Sequence, residues 1–301
     1  TSITLTGEDR RWGGEQFGAP GVVRFFAPYP YRSPFFATTP EEECERALDH
    51  VRRVLDAEDP KRVAALLVEP VVGSNGVIVY PDGYLAGLRK LTEEHGILLI
   101  VDEVMTGFGR TGAAFASSRY EIVPDLLVFA KGVTSAYVPL GGVMVRETLA
   151  KTFDERALPC GHTYSGHPVS VAAGLATLAA YRENDLFERA NEVGRWIEEH
   201  LAALAAKHEI VGDVRGVGAF HAIELVKDRA TKEPLVPWQG AQGLGVMKGL
   251  YAELRKRGIY TFGRYNIAMI APPLTTEKSE LDDAFAGVDD ALEAFARTLR
   301  V

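Results

Sequence analysis

Three apolar runs in this chain each end in a charged side chain: residues 63–68 lead into Glu69, residues 97–101 into Asp102, and residues 126–130 into Lys131. A lysine closing an apolar strand is partly desolvated, which lowers its pKa and suits the amine to form a Schiff base. A buried aspartate nearby can pair with a protonated pyridine nitrogen and keep the ring an electron sink, the arrangement expected for pyridoxal phosphate. Taken one at a time, Asp102 and Lys131 read more simply as halves of an ordinary ion pair. Residues 98–103 also fit an ATPase strand whose acids serve Mg²⁺ and water. That chemistry needs a Gly-rich loop ending in Gly-Lys-Ser or Gly-Lys-Thr, and no Gly-Lys pair occurs in the 301 residues.

The three charges share a site only if the runs are neighbouring strands of one parallel sheet, whose carboxyl edge is where open α/β sheets bind ligands. Residues 84–95 supply a helical connection between two of the runs, the parallel βαβ pattern. Upstream, residues 1–38 are rich in Gly, Pro and aromatics and read as a long loop. Thr39-Pro40-Glu41-Glu42 starts a helix running towards Asp56, with a capping hydroxyl, Pro in the first turn and acids facing the positive dipole end. The acids beside Cys44 therefore read as a cap and not as a metal site. A short apolar run at 141–145 and an Ala- and Gly-rich helix over 168–182 follow.

Near Asn184 the pattern changes. A long amphipathic helix over 185–208 leads into a Gly-interrupted strand region over 214–226, a helix over 241–257, short strands at 259–261 and 267–271, and a closing helix over 278–299. The expected architecture is α/β: a large domain, residues 1–183, with a mainly parallel central sheet, and a smaller C-terminal α/β domain, residues 184–301, packed on it.

Composition fits a globular protein, 47% hydrophobic and 25% charged. Lys and Arg total 33 against 41 Asp and Glu, a net charge of −8, so nothing points to nucleic acid or an anionic membrane as partner. Cys44 and Cys160 are too few and too far apart for a disulfide framework or a zinc cluster, no metal is expected, and a reducing cytoplasm is the expected setting. No apolar run approaches the roughly 18 residues that span a bilayer, and the first residues do not form a signal peptide.

Asp102-Glu103-Val104-Met105-Thr106-Gly107-Phe108-Gly109-Arg110-Thr111-Gly112, then Pro124-Asp125, Lys131-Gly132 and Gly161-His162-Thr163-Tyr164-Ser165-Gly166-His167-Pro168 together resemble the class III pyridoxal-phosphate aminotransferases. The interval from Asp102 to Lys131 is also the family's, and the resemblance extends to Pro272-Pro273. It implies a fold type I PLP-transferase. It further implies that Lys131 is the Schiff-base lysine and proton shuttle, that Asp102 binds the pyridine nitrogen, and that Val104 packs on the ring face. Thr163 is implied to contact the cofactor phosphate from the partner subunit of a homodimer, and Glu69 matches an active-site glutamate. The implied reaction moves an amino group from a primary amine or ω-amino acid to a 2-oxo acid such as pyruvate. Residues 131–140 and 161–168 look most like the taurine:pyruvate and ω-amino acid:pyruvate branches.

Where relatives bind an α-carboxylate through a fixed arginine ahead of the Pro-Pro pair, the matching position here is Met269. The nearby cation is Arg264, in Phe262-Gly263-Arg264-Tyr265-Asn266, a segment expected to be a mobile loop that could swing Arg264 towards a substrate carboxylate or towards Glu69. The family's phosphate-binding Gly-Ser or Gly-Thr turn and its ring-stacking aromatic are expected upstream of Thr1, so these residues alone are expected to hold the cofactor poorly. Two alternatives stand beside aminotransfer: an aminomutase or decarboxylase of the same family, and an inactive binding or assembly subunit. Arg110 reads evenly as functional or turn-fixing, His162 and His167 as loop packing, and His221 as a structural strand residue.

Overall fold

The computed structural model describes residues 2–14, 18–237 and 244–299. Helix α1 (Pro40–Glu58) begins as its cap dictates, with the Thr39 hydroxyl accepting from Glu42 N at 3.2 Å. Its Ala47, Val51 and Leu55 recur at helical spacing and are buried. They pack with Tyr84, Leu88 and Leu91 of α2 (Tyr84–His95), which ends at Gly96 in the left-handed region. Both helices cover one face of a sheet through Leu66, Val68, Leu99 and Val101.

That sheet holds β1 (Ala65–Val68), β4 (Leu98–Asp102), β5 (Leu126–Phe129) and β6 (Gly142–Val145) in this spatial order; β2 (Val71–Val72) and β3 (Ile78–Val79) form a separate small hairpin directly after Glu69. β1, β4 and β5 are parallel, and β6 runs antiparallel to β5. The register sets Val68 opposite Val101 and Asp102 opposite Val128, so Glu69, Asp102 and Lys131 all emerge at the carboxyl edge.

Helices α3 (Pro168–Glu183) and α4 (Leu186–Lys207) lead to a second sheet. Its strands are β7 (Val211–Val217), β8 (Phe220–Asp228), β9 (Glu233–Pro234), β10 (Gly263–Arg264) and β11 (Ile267–Ile270), ordered β10-β11-β8-β7 with β9 on β8, all antiparallel. Helix α5 (Leu244–Lys256) lies between β9 and β10 in sequence, and α6 (Lys278–Leu299) closes the chain's described part. Val193, Ile197 and Leu201 of α4 share a core with Ile223 and Leu225 of β8 and with Phe285 and Phe295 of α6, and this core is continuous with Phe108, Val133 and Tyr181 beside the first sheet.

Two expectations need correction, one is refined and one falls outside the described residues. Residues 1–38 are not loop throughout: short helical turns occur at Ser2–Leu5, Asp9–Gly13 and Pro30–Arg32. The strand region over 214–226 is a hairpin, β7 and β8, folded at Gly218 with φ +57, where a side chain would strike Thr111 and Gly112. No strand forms at 259–261. Pairing starts later, at Gly263–Arg264, because the turn at Tyr265 and Asn266 places Arg264 opposite Ile267. The expected helix start at 241–243 lies outside the described residues.

Candidate active site

Glu69 follows β1 directly, and the hairpin β2–β3 folds back over it. The Gly73 N–H donates to Glu69 Oε2 at 2.9 Å. Burial pushes the Glu69 carboxyl up to about 7; the Gly73 bond and Lys131 pull it down, while Asp102 and Glu8 push it up. These mutual influences mean that Glu69, Asp102, Lys131 and Glu8 lie within electrostatic reach of one another, as strand register alone predicts for the first three.

Asp102 ends β4, and its Oδ1 accepts from Val104 N at 2.9 Å, leaving acceptor capacity on the carboxylate. The half-buried Val104 opens a loop that Glu103 organises from below. Glu103 is buried and accepts from Ala116 N at 2.9 Å, Ser117 N at 2.6 Å and the Thr106 hydroxyl. The sequence reading gives Glu103 no role outside the ATPase alternative. Its signal was present in the Asp-Glu pair with Thr106 three residues on. Arg110, in the same loop, donates through Nη1 to Ala219 O at 2.8 Å and Pro272 O at 2.7 Å. Arg110 therefore ties the loop after Asp102 to the second sheet, which favours its turn-fixing reading.

Lys131 heads a short 3₁₀ turn, Lys131–Thr134, with φ +48. A left-handed lysine costs backbone energy, a pattern that clusters at functional positions. The expected desolvation of this amine is not found: Lys131 is exposed, because β5 ends at Phe129 and the lysine lies two residues beyond the sheet. It lines a cavity of about 830 Å³ together with Val104, Arg110, Tyr181, Phe220 and Leu274. An amine, two neighbouring carboxyls and an apolar wall can together hold a heteroaromatic carbonyl compound and move a proton beside it.

Arg264 is not in a free loop. It is half-buried in β10, where Nη1 pairs with Glu8 Oε2 at 3.0 Å and Nη2 with Asp9, and its guanidinium lies 5.0 Å from the centre of the Tyr265 ring. Glu8 and Asp9, not Glu69, are its carboxylate partners. Thr163 sits in the exposed segment before α3 and does not line the cavity with Lys131. His162 and His167 are exposed too, and no cluster of metal-ligating side chains occurs among the described residues. His221 is a buried strand residue of β8. No described helix is long and apolar enough to cross a membrane.

The family model described as aminotransferase class-III matches residues 7–292. An adenosylmethionine-8-amino-7-oxononanoate aminotransferase of Geobacter sulfurreducens is 36% identical, over 88% of this chain and 58% of the relative. An omega-aminotransferase of Caulobacter vibrioides is 40% identical, over 78% of this chain and 52% of the relative. The crystal structure of a taurine:2-oxoglutarate aminotransferase from Bifidobacterium kashiwanohense, in complex with PLP and glutamate, superposes with a TM-score of 0.93 at 38% identity, covering 97% of this chain and 65% of that one. The chain thus spans between half and two thirds of the length of these relatives. Its α/β architecture is the fold type I arrangement of such transaminases. By sequence and by fold, the chain is a member of the class-III aminotransferase family.

Proposed function

We propose that the protein transfers an amino group from a primary amine or ω-amino acid to a 2-oxo acid such as pyruvate, with pyridoxal phosphate as cofactor. The observation that carries this reading is the gathering of Glu69, Asp102 and Lys131 at one sheet edge beside an apolar-walled cavity. The donor set fits the cofactor: Lys131 offers an amine, Asp102 an anion with a free acceptor position, and Val104 an apolar contact for a ring face. When bound, pyridoxal phosphate supplies an electron sink for the carbon whose amino group is exchanged. Lys131 Nζ carries the proton to and from that carbon. Asp102 holds the proton on the ring nitrogen by charge. Arg264 takes the acceptor's carboxylate as a planar two-pronged donor, and Glu69 lines the substrate side.

The assembly in this reading is a homodimer in which Thr163 reaches the partner's cofactor phosphate. Support comes from the exposure of Thr163 away from its own chain's cavity. Residues 1–183 and 184–301 serve as large and small domains. The cytoplasm is the proposed compartment, and both cysteines are free.

A donor screen with pyruvate as acceptor tests the function. Alanine formed from at least one amine or ω-amino acid is the expected result. A yellow protein that forms no alanine with any donor points to the aminomutase or decarboxylase alternative, and a colourless one to an inactive subunit.

A further inference from the structure

Among the described residues, the Glu69 carboxyl accepts one backbone N–H, from a hairpin tip that a distant arginine holds in place. Residues 73–77 form the tip between β2 and β3, where Gly73 O accepts from Gly76 N at 3.0 Å and Val77 N at 3.1 Å. The tip is strained: Gly76 has φ +124 and Val77, a β-branched residue, has φ +52. A side chain at Gly76 would stand 2.5 Å from Ile267 Cδ1 and 3.2 Å from Arg215 Nη2. Arg215, on β7, donates through Nη2 to Gly76 O at 2.7 Å and through Nε to Gly76 O at 3.0 Å and Val77 O at 3.2 Å. Its remaining nitrogen is anchored by Asp213 at 2.6 Å and by the fully buried Glu224 at 3.0 Å, and the guanidinium lies 4.9 Å from the centre of the Tyr29 ring. Tyr29 and Arg32 also bond Glu224, so the cluster is tied down from three segments.

We infer that Arg215 is a positioning residue for the active site: by pinning the carbonyls of Gly76 and Val77 it aims the Gly73 N–H at Glu69 and so sets the protonation of that carboxyl. A neutral or shorter side chain cannot bridge two carbonyls while meeting Asp213 and Glu224. With the tip released, the Gly73 bond to the ionised carboxyl weakens and the proton is held more firmly. The charged and titratable groups facing Glu69 are Asp102 and Lys131 at the sheet edge, Glu8 from the amino-terminal segment, and Tyr80 just after β3. Arg215 bonds none of these directly. Glu8 bonds Ser74 of the tip and also Arg264 of β10, so releasing the tip leaves Glu8 its Arg264 partner beside Glu69.

The inference rests on the reading of Glu69 as a group of the site, but its test needs no turnover. The Gly73 amide resonance of the ¹⁵N-labelled full chain is followed by NMR as pH is raised. In the parent it titrates with a midpoint near the Glu69 value of about 7. Arg215→Lys keeps the positive charge against Glu224 and Asp213 but loses the fork, and should move that midpoint up by about one pH unit, the equivalent of one net hydrogen bond. Arg32→Gln removes a bond to the same buried Glu224 without touching the tip, and should lower the melting temperature while leaving the midpoint in place. An unmoved midpoint in Arg215→Lys, or an equal shift in Arg32→Gln, overturns the inference. If Arg215→Lys does not fold, Asp213→Asn loosens Arg215 from its other side, and no upward shift there overturns it equally. Failure of the donor screen would leave this result untouched, so the two claims fail separately.

Discussion

Arg264 Nη1 lies 3.0 Å from Glu8 Oε2, across 256 residues of sequence, and Asp9 receives the other terminal nitrogen of the same guanidinium. A cation already paired with two carboxylates accepts a third only by exchanging partners. In the proposed reaction the acceptor's carboxylate therefore competes with Glu8 and Asp9 for Arg264. Arg264→Ala should raise KM for pyruvate by about 10- to 100-fold, the worth of a charge-assisted pair, and change KM for an uncharged amine donor little. Asp9→Asn should shift pyruvate KM the opposite way. Steady-state kinetics with both substrates decide it, and equal changes for donor and acceptor reject the carboxylate role.

Lys131 is expected to be the lysine that bonds the cofactor, since it alone among the described lysines lines the cavity, and it lies within electrostatic reach of Glu69, which with Asp102 stands at the same sheet edge. Borohydride reduction of the yellow protein followed by peptide mapping should place the phosphopyridoxyl label there. A label on any other lysine removes the assignment. Asp102→Asn should keep the cofactor and lose most turnover, because a neutral amide cannot hold the ring nitrogen protonated; near-normal turnover would exclude the role.

Glu69 should make stability fall with rising pH. Its folded-state carboxyl titrates near 7 against an ordinary 4.5, so the folded protein holds a proton that the unfolded chain has already released. Stability is then fully present below about 4.5 and is lost as pH rises through about 7. Glu69→Gln keeps an oxygen for the Gly73 N–H and removes the ionisation. Denaturant titrations should find it equal to the parent at about pH 4 and more stable by up to about 3 kcal/mol near pH 8. Parallel curves for the two proteins would show that Glu69 does not titrate in this range.

A shared site makes a stoichiometric demand. Mixing a Lys131→Ala subunit with a Thr163→Ala subunit should restore activity beyond either parent, because one of the two sites in a heterodimer then has an intact lysine and an intact partner threonine. Heterodimers with no recovery would count against Thr163 crossing between subunits.

Much of the first sheet is legible in the sequence because parallel strands covered by helices read as apolar runs, and each of β1, β4 and β5 is followed within two residues by a charge that marks the sheet edge. The direction of β6 is not legible, since an apolar run carries no sign of its pairing partner. The position of β10 is misread for a similar reason: residues 259–261 are apolar enough for a strand, but the hairpin turn at Tyr265 decides where pairing begins. Lys131 is found by type and place, while its exposure is not, because strand ends are uncertain by the two residues that separate burial from solvent. The Arg215–Glu224–Tyr29 cluster has no local signature at all. Its members are joined over separations of up to 195 residues and follow no helical or strand period.

His221 gives the acid counterpart of the Glu69 prediction. Its ring is buried on β8 against Gly216, neither ring nitrogen has a hydrogen-bond partner among the described residues, and Glu198 stands 3.6 Å away, beyond bonding distance. Burial pushes its pKa down to about 4 from an ordinary 6.5. The unfolded chain thus takes up a proton as pH falls below about 6.5 while the folded protein refuses it until about 4, so stability drops across that window by up to about 3 kcal/mol. His221→Leu leaves no base to protonate and fills much of the same space. Glu69 pulls the other way across this window in both proteins, so the readout is the difference: His221→Leu should gain up to about 3 kcal/mol on the parent between about pH 6.5 and about pH 4, with no gain at neutral pH beyond the relief of two unpaired nitrogens. Denaturant titrations at the two ends of the window measure the difference, and an equal change in both proteins would show that His221 does not contribute to the acid sensitivity.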